Sequence, residues 1–138
     1  LHFWSRQDMG HFIQWDNAAQ TVVFQSYTET PVKDDLYYLA KKSAEMLKSV
    51  PHTVHLIIDE RTIKLTLTSS DIKYLEKNVP PNQGAVVMLV NKNHLNYKKF
   101  IQDFGKKFAP KAFDQPYFAA TPEEARQLLH DLFDVVYP

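Results

Sequence analysis

The chain has 138 residues and a mass of 16.1 kDa, a length that suits one domain, and at this size roughly two-thirds of the extended surface can be buried without covalent staples. Cysteine is absent, which excludes disulfides, thiolate metal sites and thiol nucleophiles. Lys plus Arg number 16 and Asp plus Glu number 16, so the basic excess of a dedicated nucleic-acid binder is missing and no nucleic-acid partner is expected.

Residues 11–16 read as a short strand, followed by a turn at Asp16 and Asn17, whose side chains form local turns. Residues 21–28 then alternate, with Val22, Phe24 and Ser26 on one face and Val23, Gln25 and Tyr27 on the other, as the second arm of a hairpin. Thr30 and Pro31 have the form of a helix start, with Asp34 and Asp35 favoured in the first turn by the helix dipole. Leu36, Ala40, Ser43, Leu47 and Val50 make the buried stripe of that helix, widened by Leu39 and Met46, and Pro51 ends it. Residues 53–59 are nearly continuously apolar, as in a strand covered on both faces. Thr68-Ser69-Ser70-Asp71 has the form of a capping box opening a helix to about Asn78, with Ile72, Leu75 and Val79 as its buried edge. A Pro80-Pro81-Asn82-Gln83-Gly84 turn precedes a second buried strand over residues 85–90.

Asn91 or Asn93 can cap a long helix from about His94 to Phe108, whose expected apolar face is Tyr97, Phe100, Ile101, Phe104 and Phe108. Residues 116–120 form a last short strand. Thr121 and Pro122 then cap a final helix that buries Ala125, Leu128, Leu129, Leu132, Phe133 and Val136. The order β-β-α-β-α-β-α-β-α predicts an α/β fold: one domain over residues 1–138, its core in 11–136, a mainly parallel sheet with an N-terminal β-hairpin, and right-handed crossovers.

Several function classes close at this level. The three glycines, Gly10, Gly84 and Gly105, are too far apart for a phosphate cradle. The longest apolar run, residues 85–90, is far short of the ~20 residues of a membrane helix, so no membrane insertion is expected. Residues 1–10 carry no secretory signal pattern, and the missing cysteines fit a cytoplasmic protein. No G-x-S-x-G elbow or H-E-x-x-H pattern occurs, and His52 and His55 point to opposite faces, so neither a metal nor another cofactor is expected.

Ligands in open α/β sheets collect beyond the carboxyl ends of the strands. That rule selects a rim of Asp59, Glu60 and Arg61 after one strand and Asn91, Asn93 and His94 after another. Asp59-Glu60-Arg61 reads either as a surface facing a ligand or partner, or as charge resuming where burial ends. His94 reads as a base or ligand, or as a solvated neighbour of a helix cap. Ser69 and Ser70 sit where a phosphate would meet free helix N–H groups, although ordinary capping explains them too. Lys92, Lys98, Lys99, Lys106, Lys107 and Lys111 against Asp103 and Asp114 make residues 91–114 basic and amphipathic. Such a segment meets an acidic partner, a membrane surface or an anionic ligand, or is simply a solvated face, its charge balanced by the acidic final helix.

The Val54-His55-Leu56-Ile57-Ile58-Asp59 strand, the Ser69-Ser70 pair before a helix and the Phe118-Ala119-Ala120-Thr121-Pro122-Glu123-Glu124-Ala125 string together resemble the STAS family, the anti-sigma-factor-antagonist type of domain, over residues 11–136. The Pro-Pro-Asn-x-Gly turn resembles that of bacterial STAS-like proteins, and the overall order is similar to the larger lipid-binding domains of the Sec14 type. The STAS resemblance implies a non-catalytic regulatory domain with a protein partner. Asp59 matches the strand-end Asp, and Ser70, with Ser69 beside it, matches the phosphorylated serine string. Thr68 stands where the family carries a second Asp and Asp71 where it carries Gly, and the loop over residues 60–67 is longer. Against this stands a carrier or sensor of an apolar or anionic small ligand, motivated by the aromatic and lysine-rich helix over residues 97–108. An enzyme would need Asp59, Arg61 and His94 to converge.

Overall fold

The hairpin arms are His11–Trp15 (β1) and Val22–Tyr27 (β2), with His11 opposite Tyr27 and Trp15 opposite Val23. Asn17 builds their turn. Its side-chain oxygen accepts the N–H of Thr21 at 2.9 Å and of Val22 at 3.3 Å, and its amide donates to Thr21 Oγ1 at 2.7 Å. The computed structural model describes residues 11–27, 33–61, 67–114 and 116–137. The expected helix start at Thr30 and Pro31, and most of the loop after Arg61, lie outside them.

The remaining elements are α1 (Lys33–Lys48), β3 (Val54–Asp59), α2 (Ser69–Lys77), β4 (Gln83–Leu89), a short 3-10 turn (Lys92–His94), α3 (Leu95–Phe108), β5 (Pro116–Ala119) and α4 (Pro122–Phe133). The sheet order is β1-β2-β3-β4-β5, with β1 antiparallel to β2 and every other pair parallel. The architecture is α/β, in the predicted element order. Two of the helix-opening caps read from the sequence form, whereas the expected cap of the long helix by Asn91 or Asn93 does not: Asn91 caps only the short 3-10 turn, and α3 starts after His94 with no side-chain cap. Thr68 Oγ1 accepts the Asp71 N–H at 3.2 Å while Asp71 Oδ2 accepts the Thr68 N–H at 2.9 Å. Thr121 Oγ1 accepts the Glu124 N–H at 3.1 Å, with Pro122 at the first helical position.

Alternation along the strands divides the core. Val22, Ile57, Ala85, Val87 and Leu89 face α4, where Ala125 and Leu129 are fully buried. Val23, Leu56 and Val86 face the other way, toward Leu47 of α1. Residues of α1, α2 and α3 share that second side, as crossovers of one hand require when parallel strands follow in sequence. Asn82 locks the corner, its amide donating to Leu47 O and His52 O, both at 2.8 Å.

Two packing expectations are corrected. Leu132 and Val136 are 57% and 67% exposed, and Val135 is buried instead. The helix ends at Phe133 and Asp134 turns left-handed (φ 57°), so residue 136 no longer follows the helical stripe. In α3 the amphipathic sense is reversed: Lys98, Gln102 and Gly105 are buried, whereas Phe100, Phe104 and Phe108 are 63%, 47% and 62% exposed. The basic α3 and acidic α4 lie on opposite sheet faces, so the acids of α4 do not sit against the lysines of α3.

Candidate functional site

Between the sheet and α1–α3 lies a cavity of about 130 Å³. Its walls are largely apolar: Leu56, Ile58 and Met88 from the sheet, Leu36 and Ala40 from α1, Leu75 from α2. Ile101 and Phe113 close it on the α3 side. Phe113 reaches this place because α3 has no side chain at Gly105, where a Cβ would stand 2.8 Å from the phenyl ring. Glu76 Oε1 fixes the segment before Phe113 by accepting the N–H of Lys111 at 3.0 Å and of Ala112 at 2.9 Å.

A few polar groups interrupt these walls. The Glu60 carboxylate pairs with the Lys98 ammonium, and both side chains are buried. Burial of such a pair demands this partnership, since either charge alone would be strongly destabilised there. The four methylenes of Lys98 supply apolar wall while its head reaches the acid. Tyr27 is buried beside them, and its phenol stays protonated: burial pushes its pKa up first, and the nearby charges of Glu60 and Asp35 push it further. Gln25 is 5% exposed, and its Oε1 is buried without a hydrogen-bond partner. Ser43 and Gln102, both buried, also line it, together with the half-buried Asn78 and Gln83. Mostly apolar walls with a few convergent polar groups are the usual form of a small-molecule site.

The residues selected as a strand-end rim are distributed differently. No order reversal occurs among the parallel strands, so the sheet offers no switch-point crevice. Glu60 turns into the cavity. Its neighbour Asp59, on the α4 face by strand alternation, receives Arg61 in a bidentate pair at 3.0 and 2.8 Å and also accepts the Arg61 N–H at 3.1 Å. That carboxylate, together with the charge of Glu123, raises the Arg61 pKa above its ordinary value. Asn91 and Asn93 are exposed and engaged with each other, the Asn91 side chain accepting the Asn93 N–H at 2.9 Å. His94 stands before α3 without capping it, and its Nδ1 is buried with no partner. Among the described residues no hydrogen bond joins His94 to Asp59 or Arg61. Ser69 and Ser70 are exposed in the first turn of α2, where Thr68 does the capping. Among the described residues no cluster of His, Asp and Glu could hold a metal ion.

Sequence reasoning missed Gln25, Tyr27, Gln102 and the role of Lys98 as an interior residue. One signal was present: Gln25 is a polar break in a strand face otherwise set by Val23 and Tyr27. Compared with protein families, curated proteins and solved structures, the chain matches none of them.

Proposed function

We propose that this domain binds a small, mostly apolar ligand bearing a hydrogen-bond donor, in the cavity between the sheet and α1–α3, as a non-catalytic sensor or carrier. The observation that carries this reading is the Gln25 Oε1, buried and unpartnered at the wall of an apolar cavity. Leaving such an acceptor unmatched costs about 1–3 kcal/mol, so a donor that reaches it is rewarded. The volume sets the scale of the ligand: an interior space near this size accommodates about one aromatic ring. Indole, phenol and toluene serve as probes in thermal-shift and native mass-spectrometry titrations. Indole and phenol should raise the melting temperature more than toluene, and Gln25→Leu should erase that preference. Ala40→Phe should fill the space and abolish every shift. If none of the three probes binds the wild-type chain, the cavity reading is lost.

A second reading, regulatory and of STAS type, is favoured by the two serines. Ser69 and Ser70 are both exposed, and neither is consumed by capping, so a phosphate there would meet the free N–H groups of the first turn of α2. A Ser70→Asp variant should then change recovery of a protein partner from native lysate, whereas Ser70→Ala should not respond to kinase treatment. Equal recovery for wild type and both variants would end this reading.

A further inference from the structure

Reversed amphipathicity in α3 leaves an apolar feature that the cavity does not use. Phe100, Phe104 and Phe108 follow one another at intervals of four residues, so they line up along one side of the helix over about 12 Å. Their rings touch in series, with centroids 6.3 Å and then 5.0 Å apart. All three are exposed. Single exposed apolar residues are ordinary, but a contiguous row is not. The helix that carries the row is strongly basic: Lys99, Lys106 and Lys107, with Lys92 and Lys111 just outside it, are exposed, against Asp103 and Asp114. The acidic residues of α4 lie across the sheet and do not neutralise this face.

We propose that α3 is a peripheral docking surface for an anionic lipid bilayer, with the three phenylalanines entering the interface and the lysines meeting the headgroups. Charge selects this occupant. A symmetric second copy would set one lysine cluster against another. A head-to-tail contact with the acidic α4 of another copy would be heterologous and would build rings or open chains rather than a simple dimer. The shape of the patch separates lipid from an acidic protein. The phenyl rings project from the convex side of a helix, whereas protein partners gain most from anchors seated in complementary pockets. A bilayer interface accepts projecting aromatic rings without such complementarity, and lysines beside them add attraction to anionic lipid. No helix among the described residues is long and apolar enough to cross a membrane, so the contact is one of surface docking.

Co-sedimentation of the full chain with vesicles tests this, using phosphatidylcholine alone and phosphatidylcholine with about one-third phosphatidylserine. The wild type should sediment with the anionic vesicles and weaken as salt rises. A Phe100→Ser, Phe104→Ser, Phe108→Ser variant should bind at least about tenfold more weakly. Its melting temperature should be unchanged, because the replaced rings are exposed. A Lys99→Gln, Lys106→Gln, Lys107→Gln variant should lose the preference for anionic over neutral vesicles. The proposal fails if the wild type stays in the supernatant with both vesicles, or if the triple serine variant binds as well as the wild type. It also fails if the wild type forms a concentration-dependent oligomer that the serine variant abolishes, since the row would then be covered by a second copy.

Discussion

His55 shows how one side chain can stand in for backbone. The β3–β4 register shifts between Val54 and Leu56, and at that irregularity the Ala85 N–H donates to His55 Nδ1 at 2.9 Å. An acceptor at Nδ1 means a neutral imidazole. Burial lowers the pKa of His55 below its ordinary 6.5, and the ring packs 4.8 Å from that of Phe133. Gly84 makes room, since a Cβ there would stand 2.5 Å from His55 Nδ1. The consequence for pH follows from linkage. The unfolded chain binds the His55 proton more readily than the folded one, so stability is full above about pH 6.5. It declines as pH falls below that value, until the lowered folded pKa is passed, and each unit of lowering corresponds to about 1.4 kcal/mol. Urea midpoints should therefore fall between pH 7.5 and about pH 5.5, and His55→Gln should flatten this dependence. A wild-type midpoint that does not change over this interval would contradict the assignment.

Among the elements, α3 departs furthest from its periodicity. A helical wheel assigns the interior to Tyr97, Phe100, Ile101, Phe104 and Phe108, and two of these, Tyr97 and Ile101, do line the cavity. The phenylalanines do not, because the helix is oriented by what Lys98 and Gly105 meet: Glu60 at the end of β3 and the Phe113 ring. Those partners are 38 and 8 positions away along the chain, beyond any local pattern. Lys98→Met should destabilise the fold by about 3–5 kcal/mol, because it strands the buried Glu60 carboxylate. Lys98→Met combined with Glu60→Leu should recover most of that loss, since the desolvation penalty is removed with the charge. Chemical denaturation of the two single variants and the double variant measures the coupling, and additive losses would show that the pair does not hold α3. The caps behave oppositely. Thr68 and Thr121 act within three residues of themselves, and both were legible as caps from the sequence.

For the molecule as a whole, the first hairpin is tied to α4 and the C-terminal segment at one corner. Asp16, at the hairpin turn, receives Arg126 of α4 through two hydrogen bonds at 3.0 and 2.8 Å and the Tyr137 hydroxyl at 2.7 Å. The Asp16 side chain is 2% exposed. Burial, together with the hydrogen bond to Asp16, pushes the Tyr137 pKa well up, so this phenol remains a donor. The Arg126 guanidinium also lies over the Phe24 and Tyr137 rings, at 5.9 and 5.8 Å from their centroids. Asn17 adds a bond from its amide to Val136 O at 3.1 Å. The contacts made by Asp16, Asn17 and Phe24 join residues more than 100 positions apart and hold the C-terminal segment against the first hairpin. Arg126→Met should cost about 2–4 kcal/mol by leaving Asp16 buried without its cation. A thermal melt within one degree or so of wild type would rule out that role.

Composition, periodicity and capping chemistry were enough for the element order, the α/β class and the division of β2 into two faces, because each depends on neighbours within a few residues. The Asp59-Glu60-Arg61 string was legible as polar, but its three side chains part company: Asp59 keeps Arg61 on one face of the sheet while Glu60 enters the cavity on the other. Strand alternation separates adjacent residues, and which side becomes a cavity depends on how closely three helices approach the sheet. The same holds for Gln25, whose lack of a partner is a property of the packed interior. It holds too for the phenylalanines of α3, exposed because Lys98, Gln102 and Gly105 take the inward side, where Lys98 meets Glu60 and Gly105 meets the Phe113 ring. Local chemistry thus accounts for the elements, and long-range pairing accounts for the cavity and the exposed aromatic row.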